Sequence, residues 1–196
     1  MAKSDQERSI HSFADARGFE AWIADRAIDD PGVWLKFARK ASGIPSISKQ
    51  EAIDIALCHG WIDGQLDRFD DTYFLVKFTP RRARSKWSQI NRDNAQRLVA
   101  CGRMTPRGLE EIEKAKADGR WDAAYAPASK AVVPQDLQAA LKVNSAARKA
   151  FDELDGQNRY AILYRIGDAK KPATRAARIE KFVQMLARGE TPHPKR

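Results

Sequence analysis

The stretch CHGWIDGQLDRFDDTYFLVKFTPRRARSKWSQIN, residues 58–91, decides the fold. Gly60 ends a preceding helix, since glycine alone takes a left-handed cap without strain. Two alternating runs follow. Ile62 and Leu66 alternate with Asp63, Gln65 and Asp67; Phe74, Val76 and Phe78 alternate with Tyr73, Leu75 and Lys77. Period-two alternation marks half-buried strands. The two apolar sets must share a face, because a slip of one residue would put one of them in water. A two-residue loop at Asp70-Asp71 would set Asp67 against Phe74. A three-residue loop, Phe69 to Asp71, pairs Leu66 with Phe74 and Asp63 with Lys77, and is the expected hairpin. Ser85 is then expected to cap a helix over about 86–101, with Trp87, Ile90, Leu98 and Cys101 on one face and Gly102 at its end.

Working outward, residues 12–28 read as a helix striped by Phe13, Phe19, Trp22, Ile23 and Ala27. Turn residues 29–32 end it, 33–38 alternate as a strand, and 41–47 form a loop. Ser48 and Glu51 make a capping box for a helix apolar on most of its circumference, which should be buried. Thr105 caps another helix with Pro106 at its first position, where the missing amide costs nothing. Residues 122–133 read as a linker. Beyond them the pattern is helical throughout: helices open at Pro134, at Asn144 or Ser145 and at Pro172, and a third of the four covers 159–166. The reading is α+β: an antiparallel sheet with helices packed on it over 1–121, the linker, an all-helical module over 134–189 and a tail, 190–196.

The 196 residues suit a domain with a small appendage, and 43% apolar composition is adequate for a core. No run reaches the roughly 18 apolar residues of a membrane span. The first residues lack the apolar segment of a secretory signal, and two cysteines make no disulfide framework, so a cytoplasmic location is expected. The net charge of +9 is unevenly placed: residues 1–80 hold 10 basic and 13 acidic side chains, residues 81–196 hold 25 and 13. Such asymmetry favours an acidic partner, either an anionic small molecule or nucleic acid.

GWIDGQ, FTPRRARSKWSQIN and GRMTPRGLEEIEKAKADGRWDAAY, followed by PQDLQAAL, AARKAFDEL and TRAARIEKFVQMLARG, resemble the bacterial YdeI/OmpD-associated (OmdA, bacteriocin-protection) family. The resemblance spans about residues 20–189. It implies an N-terminal half similar to YjbR/CyaY-like α+β domains, a group that includes candidate DNA binders, and a C-terminal helical module. It also implies a link to tolerance of bacteriocins and cationic peptides and a periplasmic association, which the N-terminal sequence does not support. A chain of +9 should repel a cationic peptide rather than sequester it.

Several sets of residues carry candidate chemistry. Arg81, Arg82, Arg84, Ser85, Lys86 and Trp87 at a helix start combine free amides, a helix dipole and guanidinium groups, an arrangement suited to an anion; the alternative is a solvated turn with Trp87 in the core. Asn91 lies one turn beyond Trp87, where it could meet a ligand or hydrogen-bond the hairpin. The polar sheet face, Trp34, Lys36, Asp63, Gln65, Asp67, Tyr73 and Lys77, could bind a polar ligand or do acid–base work, or could simply be solvated. Lys170, Lys171, Arg175, Arg178, Lys181 and Arg188 read as a polar helix face. Cys58 and His59 are helical neighbours about 100° apart and cannot pair. No metal-ligand spacing occurs, so neither metal nor cofactor is expected. The leading expectation is a non-enzymatic anion-binding protein in a stress or antimicrobial-tolerance setting. The alternatives are a nucleic-acid binder using the basic half and an enzyme using Asp63 or Asp67.

Overall fold

The computed structural model describes residues 9–194 and divides into two compact units between Ala124 and Tyr125. The first contains β1 (Ile10–His11), α1 (Ala16–Ala24), β2 (Val33–Ala38), α2 (Lys49–Cys58), β3 (Trp61–Arg68), β4 (Tyr73–Pro80), α3 (Gln89–Ala100) and α4 (Pro106–Ala117). The second contains α5 (Gln135–Lys142), α6 (Ser145–Asp152), α7 (Gly156–Gly167) and α8 (Pro172–Ala187). The class is α+β with an all-helical C-terminal region, as expected. No described helix is long and apolar enough to cross a membrane.

The sheet has the order β1-β2-β4-β3. β1 runs parallel to β2, so the sheet is mixed rather than purely antiparallel. At two residues, β1 is too short to leave a periodic pattern. One sheet face carries Val33, Leu35, Phe37, Phe74, Val76 and Phe78, which pack with Trp61 against Phe19 and Ile23 of α1 and Ala52, Ile55 and Ala56 of α2. Burying each of the large side chains contributes on the order of 1.5–3 kcal/mol.

Local chemistry sets the helix ends. The carboxylate of Asp15 accepts the Gly18 amide, which starts α1 later than the apolar stripe suggests. The capping box of α2 is complete: Ser48 Oγ accepts from the Glu51 amide at 3.2 Å and Glu51 Oε2 from the Ser48 amide at 2.9 Å. Gly60 follows that helix at φ +72°, the left-handed conformation expected of it. Thr105 Oγ1 donates to the Cys58 carbonyl at 2.5 Å and accepts from the Gly108 amide at 3.5 Å. One hydroxyl therefore closes α2 and opens α4.

The start of α3 differs from expectation. Its cap is Ser88, whose hydroxyl accepts from the Asn91 amide at 3.0 Å. Ser85 is occupied elsewhere: its Oγ accepts from the Arg82 amide at 2.9 Å. The buried face of α3 is Asn91, Ala95 and Leu98, while Ile90 and Cys101 are exposed.

The hairpin also departs from the expected register. Leu66 pairs with Val76, not Phe74, and Asp63 with Phe78, not Lys77. Two features account for this. At the tip, Asp70 Oδ1 accepts from the Thr72 and Tyr73 amides at 2.7 and 2.6 Å, an Asx turn that widens the connection to Phe69–Thr72. Between Asp63 and Leu66 the register shifts, so Gly64 and Gln65 together oppose Lys77 in a β-bulge. Leu66 keeps the core-face parity but lies exposed.

In the helical unit Asn144 caps α6 and Asp155 caps α7, which therefore begins at Gly156 rather than Arg159. Its core joins Leu137, Leu141, Phe151, Ile162, Ile166, Ile179, Phe182 and Leu186. The expected linker contains a short 3-10 turn, Ala128–Lys130.

Candidate functional site

The basic stretch after β4 is a turn ahead of α3, not the first turn of the helix. Its arginines do not converge. Arg81 points inward and is 5% exposed; its guanidinium carbon lies 3.6 Å from the Trp87 ring centroid, and Nη1 donates to the Lys86 carbonyl at 3.4 Å. Trp87 in turn meets Trp121 edge to face at 4.8 Å. Arg82 and Arg84 face solvent and make no ion pair among the described residues; Lys86 is exposed as well.

The turn is nonetheless held in one shape. The Ser85 amide donates to the Arg82 carbonyl at 2.8 Å, Ser85 Oγ accepts from Arg82, and Arg120 Nη1 donates to the Ser85 carbonyl at 2.9 Å. Arg120 is itself fixed by the Asp118 carboxylate, with Nε at 2.7 Å from Oδ2. Two solvent-facing guanidinium groups are thus carried on a backbone that has few alternatives. Guanidinium groups on a fixed frame lose less entropy when they take an anion.

Asn91 is 9% exposed and donates Nδ2 to Asp63 Oδ1 of the hairpin at 3.5 Å. The β-bulge separates the polar sheet face. Trp34, Lys36, Asp67, Tyr73 and Lys77 share the face opposite the helices, as their register with β4 requires. Asp63, opposite Phe78, lies on the helix-covered face. Asp63 and Asp67 therefore lie on opposite faces of the sheet. Gln65 is exposed in the bulge.

The remaining sheet face is covered rather than bare. Leu75 is 2% and Trp34 8% exposed. Lys36 Nζ sits 4.6 Å from the Tyr73 ring centroid and 5.4 Å from that of Phe69. This is a cation lying across its own aromatic neighbours.

Burial pushes the Cys58 thiol up to about 11, so it is protonated at neutral pH and is no nucleophile. Burial also lowers the His59 imidazole; Arg107 acts in the same direction and Glu20 against it. Three of the C-terminal basic residues have partners within the helical unit. Arg175 is bidentate to Asp136 and also donates to the Ile166 carbonyl, Arg178 donates to the Arg165 carbonyl and lies 3.7 Å from Asp168, and Arg188 pairs with Glu190.

Residues 11–111 match the family model described as a domain of unknown function, DUF8412. Residues 130–189 match the model described as bacteriocin-protection, YdeI or OmpD-associated. The latter match is confined to the helical unit, whereas the resemblance drawn from motifs extended over the first unit too. The similarity to YjbR/CyaY-like domains rests on the sequence reading alone. No curated protein and no solved structure matches the chain.

Proposed function

The chain belongs to the DUF8412 family, and from that premise we propose that it is a non-enzymatic protein that binds an anionic ligand on the turn 82–88. What carries the reading is one observation: Arg82 and Arg84 face solvent from a turn fastened by Ser85 and Arg120. Arg81 belongs to the support of this site and not to its binding surface. Trp87 supports the turn from within, and Asn91 supports the hairpin.

The description of the helical module's family names bacteriocin protection, so a setting in stress or antimicrobial-peptide tolerance is part of the proposal. At +9 the chain repels cationic peptides. Tolerance would therefore act through an anionic ligand or target, not through capture of the peptide. The free thiols Cys58 and Cys101 suit a reducing, cytoplasmic compartment.

A thermal-shift screen with inorganic pyrophosphate, ATP and a short DNA duplex at two salt concentrations tests this reading. One class should raise the melting temperature of wild type at low salt, and Arg82→Ala/Arg84→Ala should abolish the rise. A steep salt dependence confined to the duplex would make nucleic acid the ligand. No shift with any compound, or a shift that the double variant retains, overturns the proposal.

A further inference from the structure

Six cations of the helical unit divide by how they are held. Arg175, Arg178 and Arg188 are held by carboxylates. Lys142, Arg148 and Arg159 make no ion pair among the described residues. These three come from different helices, α5, α6 and α7, and line one groove of about 420 Å³. Its apolar lining is Val133, half-buried, with Leu141 and Phe151 beneath, 5% and 2% exposed, and the Arg159 guanidinium carbon lies 4.4 Å from the Phe151 ring centroid. Asp152 stands among the cations, and a shallower hollow continues along α6 past Arg148 to Lys149 and Glu153.

Cations from three helices gathered around an apolar lining give this groove the mixed charge and apolar character of a recognition surface. The carboxylates decide which anion fits. A phosphate backbone carries no donors on its phosphates, and Asp152 and Glu153 would repel it. A peptide brings main-chain N–H groups that those carboxylates can accept. It also brings side-chain carboxylates for the cations and an apolar side chain for the lining. The volume admits a few side chains, well short of a folded domain surface.

We propose that this groove docks an acidic peptide segment of a protein partner, with one apolar side chain against Val133 and its flanking carboxylates on Lys142, Arg148 and Arg159. The site is independent of the turn 82–88.

The test is fluorescence anisotropy with the full chain and a labelled Glu-Glu-Phe-Glu-Glu peptide. Wild type should bind saturably, and Arg148→Glu and Lys142→Glu should each weaken binding roughly tenfold or more. Lys181→Glu changes the net charge equally on another part of the module and should leave affinity within about twofold if docking is specific to the groove. Replacing the peptide's Phe by Ser should weaken binding as well, and Arg82→Ala/Arg84→Ala should not. Circular dichroism of each variant confirms that the helices persist. The proposal is overturned by absence of saturable binding, or by an equal loss in Lys181→Glu, which would leave net-charge attraction alone. It is likewise overturned if a DNA duplex or a phosphatidylglycerol vesicle, rather than the peptide, loses binding in Arg148→Glu.

Discussion

Arg81 and Trp87 form a stacked pair, guanidinium over indole at 3.6 Å, sealed from solvent at the point where the sheet hands the chain to α3. Trp121 closes the far side of Trp87, and Lys116 Nζ lies 5.9 Å from the Trp121 ring centroid. The ladder runs cation, indole, indole, cation. Truncating Arg81 opens a void against Trp87 and removes a desolvated cation–π contact. Arg81→Ala is expected to lower unfolding stability by roughly 2 kcal/mol. Arg81→Lys should recover little of it, because an ammonium does not stack as a planar guanidinium does. Urea unfolding of the three proteins measures this.

Gly108 sits where α4 crosses the end of α2. A Cβ there would come within 2.8 Å of the Leu57 carbonyl oxygen, and closer still to the Cys58 carbonyl and Met104 Sδ. Gly108→Ala should therefore destabilise by about 1–3 kcal/mol despite alanine's better helix propensity. Gly167, at the end of α7, meets nothing within 4 Å, and Gly167→Ala should stabilise by about 0.4–1 kcal/mol. Thermal melts of the two variants should move in opposite directions.

Arg175 ties three helices of the second unit, bonding Asp136 on α5 and the last turn of α7 from its place on α8. Both partners are partly exposed, so Arg175→Ala should cost only about 1 kcal/mol at neutral pH. The guanidinium holds the Asp136 carboxyl below its ordinary value of 3.8. A depressed carboxylate stabilises the fold above that ordinary value and loses its contribution as pH falls through the lowered one. The difference between wild type and Asp136→Asn should accordingly be full at pH 7 and shrink in strong acid, read by denaturant unfolding at each pH.

His59 acts with the same sign, but in milder acid. Its imidazole is lowered from 6.5 by burial, so below that value the unfolded chain binds the proton more readily than the folded one. Stability should fall as pH drops from neutrality into the range below about 6.5. Replacing His59 by Gln should flatten that slope. Melting temperatures across the range, for both proteins, decide the matter.

Elements set by local chemistry were legible in the sequence. The Ser48–Glu51 box, Thr105-Pro106 and the strand 33–38 are each written in adjacent residues, and each is found where expected. The hairpin register was not legible, because an Asx turn at Asp70 and a bulge at Gly64 add residues that alternation alone cannot count. Ser85 and Ser88 stand in the same basic run, and which one caps α3 depends on Ser85 Oγ being taken by Arg82. Arg81 reads as a solvated cation until the fold brings a Trp87 face over it. Lys142, Arg148 and Arg159 carry no signal in the sequence. They lie on three helices, and no spacing along one helix signals that such residues converge.

The bulge at Gly64 and Gln65 gives β3 something like a reading frame. Residues before it and residues after it follow opposite parities, so Asp63 faces Asn91 beneath the sheet while Asp67 faces outward. Pairing every residue one for one, with both Gly64 and Gln65 kept and no bulge, would impose one continuous alternation and force a choice between the two halves. Trp61 could stay in the core, or Asp67 could stay outside it, but not both. The offset at Gly64 and Gln65 is thus as firmly specified as the apolar residues on either side of it.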